Sequence, residues 1–219
     1  MKLSYQEIFD AVVELLTRSG VAEDASRTVA ESLARANARG IHSHGVKYLK
    51  MITARINAGQ MEIADMPAVA KASGANVLVD GKNGIGQVAA RLAMKWSIEN
   101  AREYGVAVTL VRNTNNIGFL SNYAMMAAAE DMIGICACNA ASSISLWGGM
   151  EPVLGSNPIS LAFPTDGEYP LVMDLSVSNV ARGKIREADR KGEKIPPTWA
   201  FGPDGTPTED PAEALKGVL

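Results

Sequence analysis

The chain has 219 residues, of which 47% are hydrophobic, 21% charged and 5% aromatic. These proportions are typical of a folded globular protein and exclude a disordered chain. Lysine and arginine number 21 against 24 aspartates and glutamates, so the net charge of -3 argues against a nucleic-acid-binding protein. No stretch approaches the roughly 20 apolar residues of a membrane span, and no apolar signal core follows the N-terminus. We therefore expect a cytoplasmic protein without a membrane partner.

The first 59 residues predict helices only. Ser4 and Glu7 are spaced as a capping box, and apolar residues follow at helical spacing as far as Gly20. A second helix is predicted over residues 23–37. A third is predicted to start near Ser43, whose hydroxyl would cap it, and to run almost to the end of this segment.

From residue 60 to residue 219, strands alternate with helices. Helices are predicted over residues 87–104, 120–131 and 180–191, and strands over 76–80, 106–111, 133–138, 159–163 and 171–174. The strands at 106–111 and 133–138 are continuously apolar, so we expect them to be buried on both faces. The sequence thus predicts an N-terminal helical segment, residues 1–59, followed by an α/β core, residues 60–219.

Cys136 and Cys138 are the only cysteines and are separated by one residue. On a strand their side chains point the same way, and we interpret them as small core residues of a protein in a reducing compartment. Together with His42 and His44 they would supply the two nitrogen and two sulfur ligands that zinc takes. Zinc ligands are usually separated by two or more residues, so we predict no metal site and keep zinc as an alternative.

The two histidines, His42 and His44, flank Ser43 and lie between glycines. Imidazole exchanges protons near neutral pH, so this segment is a candidate acid/base site. The alternative is a capped helix start in which the histidines have no chemical role.

Other polar segments follow predicted strands, where α/β proteins place their ligands. Arg112–Gly118 contains three asparagines that could bind a polar ligand or form an ordinary helix-capping turn. Asp174–Ser176 could hold a ribose or an amide, or Asp174 could cap a helix. The glycine-rich segment Gly81–Gln87 matches neither the dinucleotide fingerprint nor the P-loop, and we interpret it as a tight turn.

Taken in order, these segments resemble the malate/L-lactate dehydrogenase family. This is a group of NAD(P)-dependent oxidoreductases that includes ureidoglycolate dehydrogenase, sulfolactate dehydrogenase and diketogulonate reductase. The resemblance is carried by Ala38–Val46, Gly84–Gln87, Arg112–Asn115, Met132–Ile135, Gly155–Pro158, Asp174–Ser176 with Gly183 and Lys184, and parts of residues 195–208. It extends over essentially the whole chain and implies a mixed-sheet α/β core that is not a Rossmann fold.

The resemblance also implies an activity: hydride transfer between NAD or NADP and C2 of a small 2-hydroxy or 2-oxo acid. His44 would be the catalytic acid/base, and a homodimer is expected. The residues implied in substrate binding are Ser43, Tyr48, Asn116 and Gly118. The residues implied in cofactor binding are Ala140, Asn157, Asp174, Leu175 and Ser176.

Three departures from the family pattern support a second hypothesis. Many members carry arginine at the position of Tyr48. A phenol cannot replace a guanidinium, which is charged and can form two hydrogen bonds to a carboxylate. Many carry histidine at the position of Asn116, and a carboxamide cannot transfer a proton near pH 7. Members also continue beyond a segment like Ala214–Leu219, with a glycine-rich loop that contacts the cofactor. The second hypothesis is a non-catalytic or truncated relative that keeps the scaffold for binding or dimerisation.

Overall fold

The structure is a computed structural model and describes residues 3–219. The chain divides into two compact units. The first unit runs to Gly134 and includes Ala162–Val172, and the second comprises Ile135–Leu161 and Met173–Leu219. The division predicted at residue 59 stays a prediction. No helix among the described residues is both long and apolar enough to cross a membrane.

The first unit begins with three helices that share one apolar core. They are α1 (Tyr5–Arg18), α2 (Glu23–Ala38) and α3 (Leu49–Asn57). The predicted capping box is confirmed, because Ser4 Oγ accepts the Glu7 N–H at 3.2 Å and the Glu7 carboxylate accepts the Ser4 N–H at 2.7 Å. These backbone and hydroxyl donors lower the pKa of Glu7. Side chains spaced three or four apart fill the core, among them Val12, Leu16, Val29, Leu33 and Ile52.

The predicted start of the third helix is wrong. Two short 3-10 turns, His42–His44 and Val46–Tyr48, follow α2, and the α-helix itself begins only at Leu49. Gly45 separates the turns with an extended backbone, φ −86° and ψ −155°, which interrupts the helical path. Ser43 therefore caps no α-helix, and its hydroxyl contacts the neighbouring imidazole instead.

A mixed sheet completes the regular structure of this unit up to residue 134. Its strands are β1 (Ala68–Ser73), β2 (Asn76–Gly84) and β3 (Val108–Thr114), and two further helices are α4 (Gly86–Tyr104) and α5 (Ser121–Ala128). Strand β1 is antiparallel to β2, and β2 is parallel to β3. Helix α4 connects the parallel strands and packs on them through a core that contains Val77, Val79 and Ala93.

Strand β2 extends through part of the segment interpreted as a tight turn, and its pairing with β3 is irregular between Asp80 and Gly84. The strand continues from Gly81 to Gly84, with positive φ at Lys82 (53°) and Asn83 (55°). A Cβ on Gly81 would lie 2.7 Å from the Thr114 Cβ. The glycine permits this close approach to β3, which local sequence does not reveal. Strand β1 was not predicted, since its three alanines have low strand propensity.

The second unit contains two small sets of strands and two helices. The remaining elements in chain order are β4 (Gly134–Ala137), β5 (Ser142–Ser145), β6 (Pro152–Gly155), β7 (Ile159–Phe163), β8 (Leu171–Leu175), α6 (Arg182–Lys191) and α7 (Pro211–Lys216). One sheet has the order β4-β7-β8, and β5 pairs with β6 in an unpredicted antiparallel hairpin. The division between the two units falls after the first residue of β4, and it also falls within β7 and within β8. Helices α6 and α7 contribute Ile185, Ala188 and Ala214 to a separate apolar core.

The prediction that β3 and β4 are buried on both faces is wrong. Val108 and Leu110 on β3 are 52% and 64% exposed, and Ile135 on β4 is 58% exposed. Thr109 on β3 faces α4, where its hydroxyl accepts a hydrogen bond from Ser97 at 2.8 Å. Alternation along the strand then directs Val108 and Leu110 away from the helix. Both β3 and β4 are edge strands of their sheets. Apolar composition alone does not distinguish an edge strand from a central strand.

Both cysteines are free thiols. They are half-buried rather than fully buried. Burial raises the pKa of Cys136 to about 12, with smaller contributions from Cys138 and the Asp174 carboxylate. Burial and Asp174 also raise the pKa of Cys138. Thiols with raised pKa values stay protonated near neutral pH and react slowly.

A close backbone contact at the start of α4 gives the first testable prediction. A Cβ on Gly86 would lie 2.3 Å from the carbonyl oxygens of both Asn115 and Asn116. We expect Gly86→Ala to push this segment away and to destabilise the protein by about 1–3 kcal/mol, the usual range for overpacking. Thermal unfolding, followed by circular dichroism, measures the effect as a lowered Tm.

Gly167→Ala is the matched control, because a Cβ there would make only an ordinary contact, 3.6 Å from Thr165 Oγ1, without a positive φ. Equal melting temperatures for the two variants would contradict the close approach at Gly86.

Candidate functional site

The end of α2 determines the position of the histidine turn, residues His42–Tyr48. Asn37, in the last turn of α2, accepts the backbone N–H of Val46 with its Oδ1 at 2.7 Å. A Cβ on Gly45 would lie only 1.8 Å from the same oxygen. A larger residue at position 45 would displace the Asn37 side chain and break its hydrogen bond to Val46. This hydrogen bond bridges nine residues and holds the intervening segment, which includes Ser43 and His44, against α2.

Three side chains that the resemblance implicates lie together in this turn. Ser43 Oγ is 2.9 Å from His44 Nδ1. The ring of Tyr48 stacks on His44 with 6.0 Å between centroids and 15° between planes. All three residues are half-buried. The structure thus gives the imidazole a hydroxyl at one edge and an aromatic ring on one face, which together restrict its orientation.

The contact between Ser43 and His44 is compatible with both imidazole tautomers. When the hydroxyl donates to Nδ1, the ring proton is on Nε2, and when the hydroxyl accepts from Nδ1–H, Nε2 is the basic nitrogen. A serine hydroxyl can rotate to serve either case. The arrangement therefore lets one ring nitrogen give or take a proton while the other keeps its partner.

The asparagine turn, residues Asn115–Gly118, is held by its own polar groups. Asn116 Oδ1 accepts the Gly118 N–H at 2.8 Å, and Gly118 has a φ of +80° that favours glycine. Arg55 Nη1 donates to Asn115 Oδ1 at 2.9 Å, and Asn115 Nδ2 donates to the Gly84 carbonyl at 3.0 Å. The Asn116 side chain is exposed, so its amide nitrogen is placed where a ligand could meet it.

The second unit brings three of the implied cofactor-binding residues to one place. Asn157 Oδ1 accepts the Ala140 N–H at 3.0 Å. A Cβ on Gly155 would lie 2.2 Å from the Ala140 carbonyl oxygen, so this approach too needs glycine. Next to Asn157, the Ser156 carbonyl oxygen accepts from the Ser176 hydroxyl at 3.5 Å. Ala140, Asn157 and Ser176 therefore belong to one loop cluster.

Asp174 and Leu175 end strand β8 beside this cluster, and both are exposed. The Asp174 carboxylate also raises the pKa values of Cys136 and Cys138, so it lies within electrostatic reach of β4. An exposed carboxylate followed by a hydroxyl residue is a donor and acceptor set that suits a ribose diol. The donor set of this loop cluster is thus chemically compatible with a dinucleotide.

The described residues, 3–219, contain no group of three or more histidine, cysteine, aspartate or glutamate side chains arranged to hold a metal ion. Sequence reasoning missed Asn37 and Gly45 as the residues that position the histidine turn. Asparagine near a helix end is common, and its long-range role depends on a backbone nine residues away. The only available signal was the glycine after His44.

Known proteins are similar to this chain over nearly its whole length. A family model described as malate/L-lactate dehydrogenase matches residues 3–219. The malate dehydrogenase of Pyrococcus abyssi is 39% identical over 217 residues, which are 99% of this chain and 60% of that protein. The (2R)-3-sulfolactate dehydrogenase (NADP(+)) of Chromohalobacter salexigens is 34% identical over 217 residues, 99% of this chain and 65% of that protein.

Solved structures show the same fold. The crystal structure of malate dehydrogenase from Entamoeba histolytica superposes with a TM-score of 0.95 at 33% identity, covering 99% of this chain and 60% of that one. The predicted mixed α/β class is confirmed by this likeness and by the mixed sheet. The chain spans about 60% of the length of these first relatives. The match of the family model over nearly every residue, together with these identities, shows that the chain belongs to the malate/L-lactate dehydrogenase family.

Proposed function

We propose that this chain carries out NAD(P)-dependent hydride transfer at C2 of a small 2-hydroxy or 2-oxo acid. The observation that carries the proposal is the Ser43–His44 contact, a hydroxyl 2.9 Å from an imidazole nitrogen, in a chain of a dehydrogenase family. The names of the relatives support the substrate class, since malate and sulfolactate are both 2-hydroxy acids.

His44 is the proposed acid/base. When bound, the nicotinamide supplies the acceptor for the hydride that leaves C2 with its electron pair. The C2 hydroxyl must then lose its proton as the C=O bond forms, and His44 takes that proton. In the reverse direction His44 returns the proton to the oxygen of the reduced product. A positioned imidazole contributes about 10²–10⁴-fold to such a step.

The substrate is proposed to bind between polar groups of the first unit. Ser43 and Tyr48 offer hydroxyls, Asn116 offers its exposed amide, and Gly118 shapes the backbone of the asparagine turn. No arginine stands at position 48, so neutral donors from these residues would hold the acid, each weaker than a charge-assisted pair.

The cofactor is proposed to bind at the loop cluster of the second unit. Asp174 and Ser176 would contact a ribose, and Ala140, Asn157 and Leu175 would line the site. The relative from Chromohalobacter salexigens is named for NADP(+), and we propose NAD or NADP for this chain. A homodimer is part of the proposal through the family resemblance. The two free thiols suit a cytoplasmic location.

A second candidate function is a non-catalytic relative that keeps the scaffold for binding or dimerisation. Two observations favour it. Tyr48 stacks on His44 where many family members carry arginine, and Asn116 Oδ1 is already engaged by the Gly118 N–H. Catalytic turnover by this chain would contradict this candidate.

Titration with NADH and NADPH tests the cofactor site. The three tryptophans, Trp96, Trp147 and Trp199, are the energy donors, and we expect a saturable fluorescence change with at least one cofactor. Asp174→Ala should weaken that binding about tenfold, the equivalent of roughly 1.4 kcal/mol for a lost charged hydrogen bond.

Asp166→Ala removes an exposed carboxylate outside the loop cluster and is the control. A folded parent that binds neither cofactor would argue against the proposed site, as would equal affinities in the two variants.

Replacement of the proposed acid/base gives a second test. His44→Ala should lower kcat about 10²–10⁴-fold with any 2-oxo acid that is turned over, and should leave the Kd for NADH nearly unchanged, because the imidazole acts mainly in the transition state. His42→Ala is the matched control, since that histidine lies in the same turn. If both variants turn over like the parent, His44 is not the acid/base.

Restoring the family arginine gives a third test. Tyr48→Arg should lower KM for simple 2-oxo carboxylates about tenfold, because a guanidinium can bind the carboxylate through two charge-assisted hydrogen bonds. Tyr48→Phe keeps the aromatic ring and removes the hydroxyl, so it should raise KM instead. An unchanged KM in both variants would place the substrate carboxylate away from position 48.

A further inference from the structure

A half-buried arginine contacts the asparagine turn without a carboxylate partner. Arg55 on α3 donates through Nη1 to Asn115 Oδ1, a neutral acceptor, at 2.9 Å. In the part of the chain that the structure describes, Arg55 takes part in no ion pair. Arg35 and Arg91, also half-buried in the first unit, both pair with the Glu31 carboxylate. A partly buried charge without an opposite charge is costly, so Arg55 is suited to bind an anion.

The contact with Asn115 occupies only part of the guanidinium group of Arg55. Asn115 Nδ2 donates to the carbonyl oxygens of Asn83 and Gly84 at 2.8 Å and 3.0 Å, which fixes Asn115 at the end of β2. A guanidinium has five N–H donors in a rigid plane, and Asn115 accepts from one nitrogen. The other donors can therefore form the two parallel hydrogen bonds by which arginine binds a carboxylate.

The position of Arg55 relates it to both turns of the proposed substrate site. It follows Tyr48, which immediately precedes α3, by seven residues, so the two positions lie on the same side of the helix and about 10 Å apart along its axis. Helical side chains lean toward the helix N-terminus, which directs Arg55 back toward Tyr48, whose ring stacks on His44. Asn115, which Arg55 contacts, directly precedes the exposed Asn116.

We propose that Arg55 binds the carboxylate of the substrate and supplies the cation that this chain lacks at position 48. Ser43, Tyr48 and Asn116 offer neutral donors, whereas Arg55 offers a charge-assisted pair of hydrogen bonds. The ligand class is a small carboxylic acid. That this acid is the substrate rests on the proposed function, but carboxylate binding can be measured without turnover.

Nuclear magnetic resonance on the labelled 219-residue chain tests carboxylate binding without catalysis. The probe is oxalate, which carries the carboxylate of a 2-oxo acid and accepts no hydride. The Nε–H signal of Arg55, assigned by its loss in Arg55→Lys, should shift saturably as oxalate is added. Sodium chloride at the same ionic strength should not reproduce the shift. A signal that stays in place, or that moves equally with chloride, would overturn the proposal.

Replacing the arginine should weaken oxalate binding, which the N–H signal of Gly118 in the asparagine turn reports for every variant. Arg55→Gln should raise the Kd about 10–100-fold, the loss expected for hydrogen bonds to a charged group. Lys50→Gln is the matched control, because it removes the same charge from an exposed position of α3, about 140° around the helix from Arg55. Equal Kd values in these two variants would contradict a specific site at Arg55.

A conservative replacement separates carboxylate binding from support of the turn. Arg55→Lys and Arg55→Gln both keep an N–H donor for Asn115 Oδ1, but only lysine keeps the charge. Arg55→Lys should bind oxalate more tightly than Arg55→Gln and more weakly than the parent, because an ammonium group binds a carboxylate as a point charge. Equal Kd values for the lysine and glutamine variants would leave Arg55 with a structural role only and overturn the proposal.

The link to the substrate has a separate readout. With a preparation that reduces a 2-oxo acid, Arg55→Gln should raise KM about 10–100-fold and leave kcat nearly unchanged, because the carboxylate is bound equally in the ground state and the transition state. An unchanged KM would overturn the assignment to the substrate. A parent protein that binds oxalate at Arg55 but turns over no 2-oxo acid would count against the proposed function and not against the carboxylate site.

Discussion

The hydrogen bond from the Val46 N–H to Asn37 Oδ1 controls the geometry of the histidine turn. It spans nine residues and closes a loop at the end of α2, and a side chain at Gly45 would displace Asn37 and break this bond. Val29 and Leu33 anchor α2 in the three-helix core, so this core also restrains the histidine turn. Ser43 and His44 are thus placed by packing that lies well away from them.

Close backbone approaches at glycines recur wherever polar residues gather. Gly86 lies against the carbonyl oxygens of Asn115 and Asn116, and Gly155 lies against that of Ala140. In each case a methyl group would push away a segment that carries a proposed binding residue, Asn116 or Ala140. The polar segments can therefore be exposed loops and still hold a definite shape, because tight contacts with regular elements restrain their backbones.

Each compact unit carries a different part of the proposed chemistry. The first unit holds the proposed acid/base and substrate residues, with His44 and Asn116 on separate turns. The second unit holds the proposed cofactor residues, with Ala140, Asn157 and Ser176 in one loop cluster. The proposed function assigns a role to residues of each unit.

The elements with local signals could be predicted from the amino-acid sequence. The α1 capping box at Ser4 and Glu7, the long helix α4 and the ordered family segments could all be predicted, because propensity, spacing and motif depend on near neighbours. Other outcomes needed the folded chain: Val108 and Leu110 lie on an exposed edge, Ser43 contacts His44 instead of capping a helix, and Asn37 accepts the Val46 N–H. These outcomes depend on which distant segments come together, and burial, register and hydrogen-bond partners are properties of that assembly.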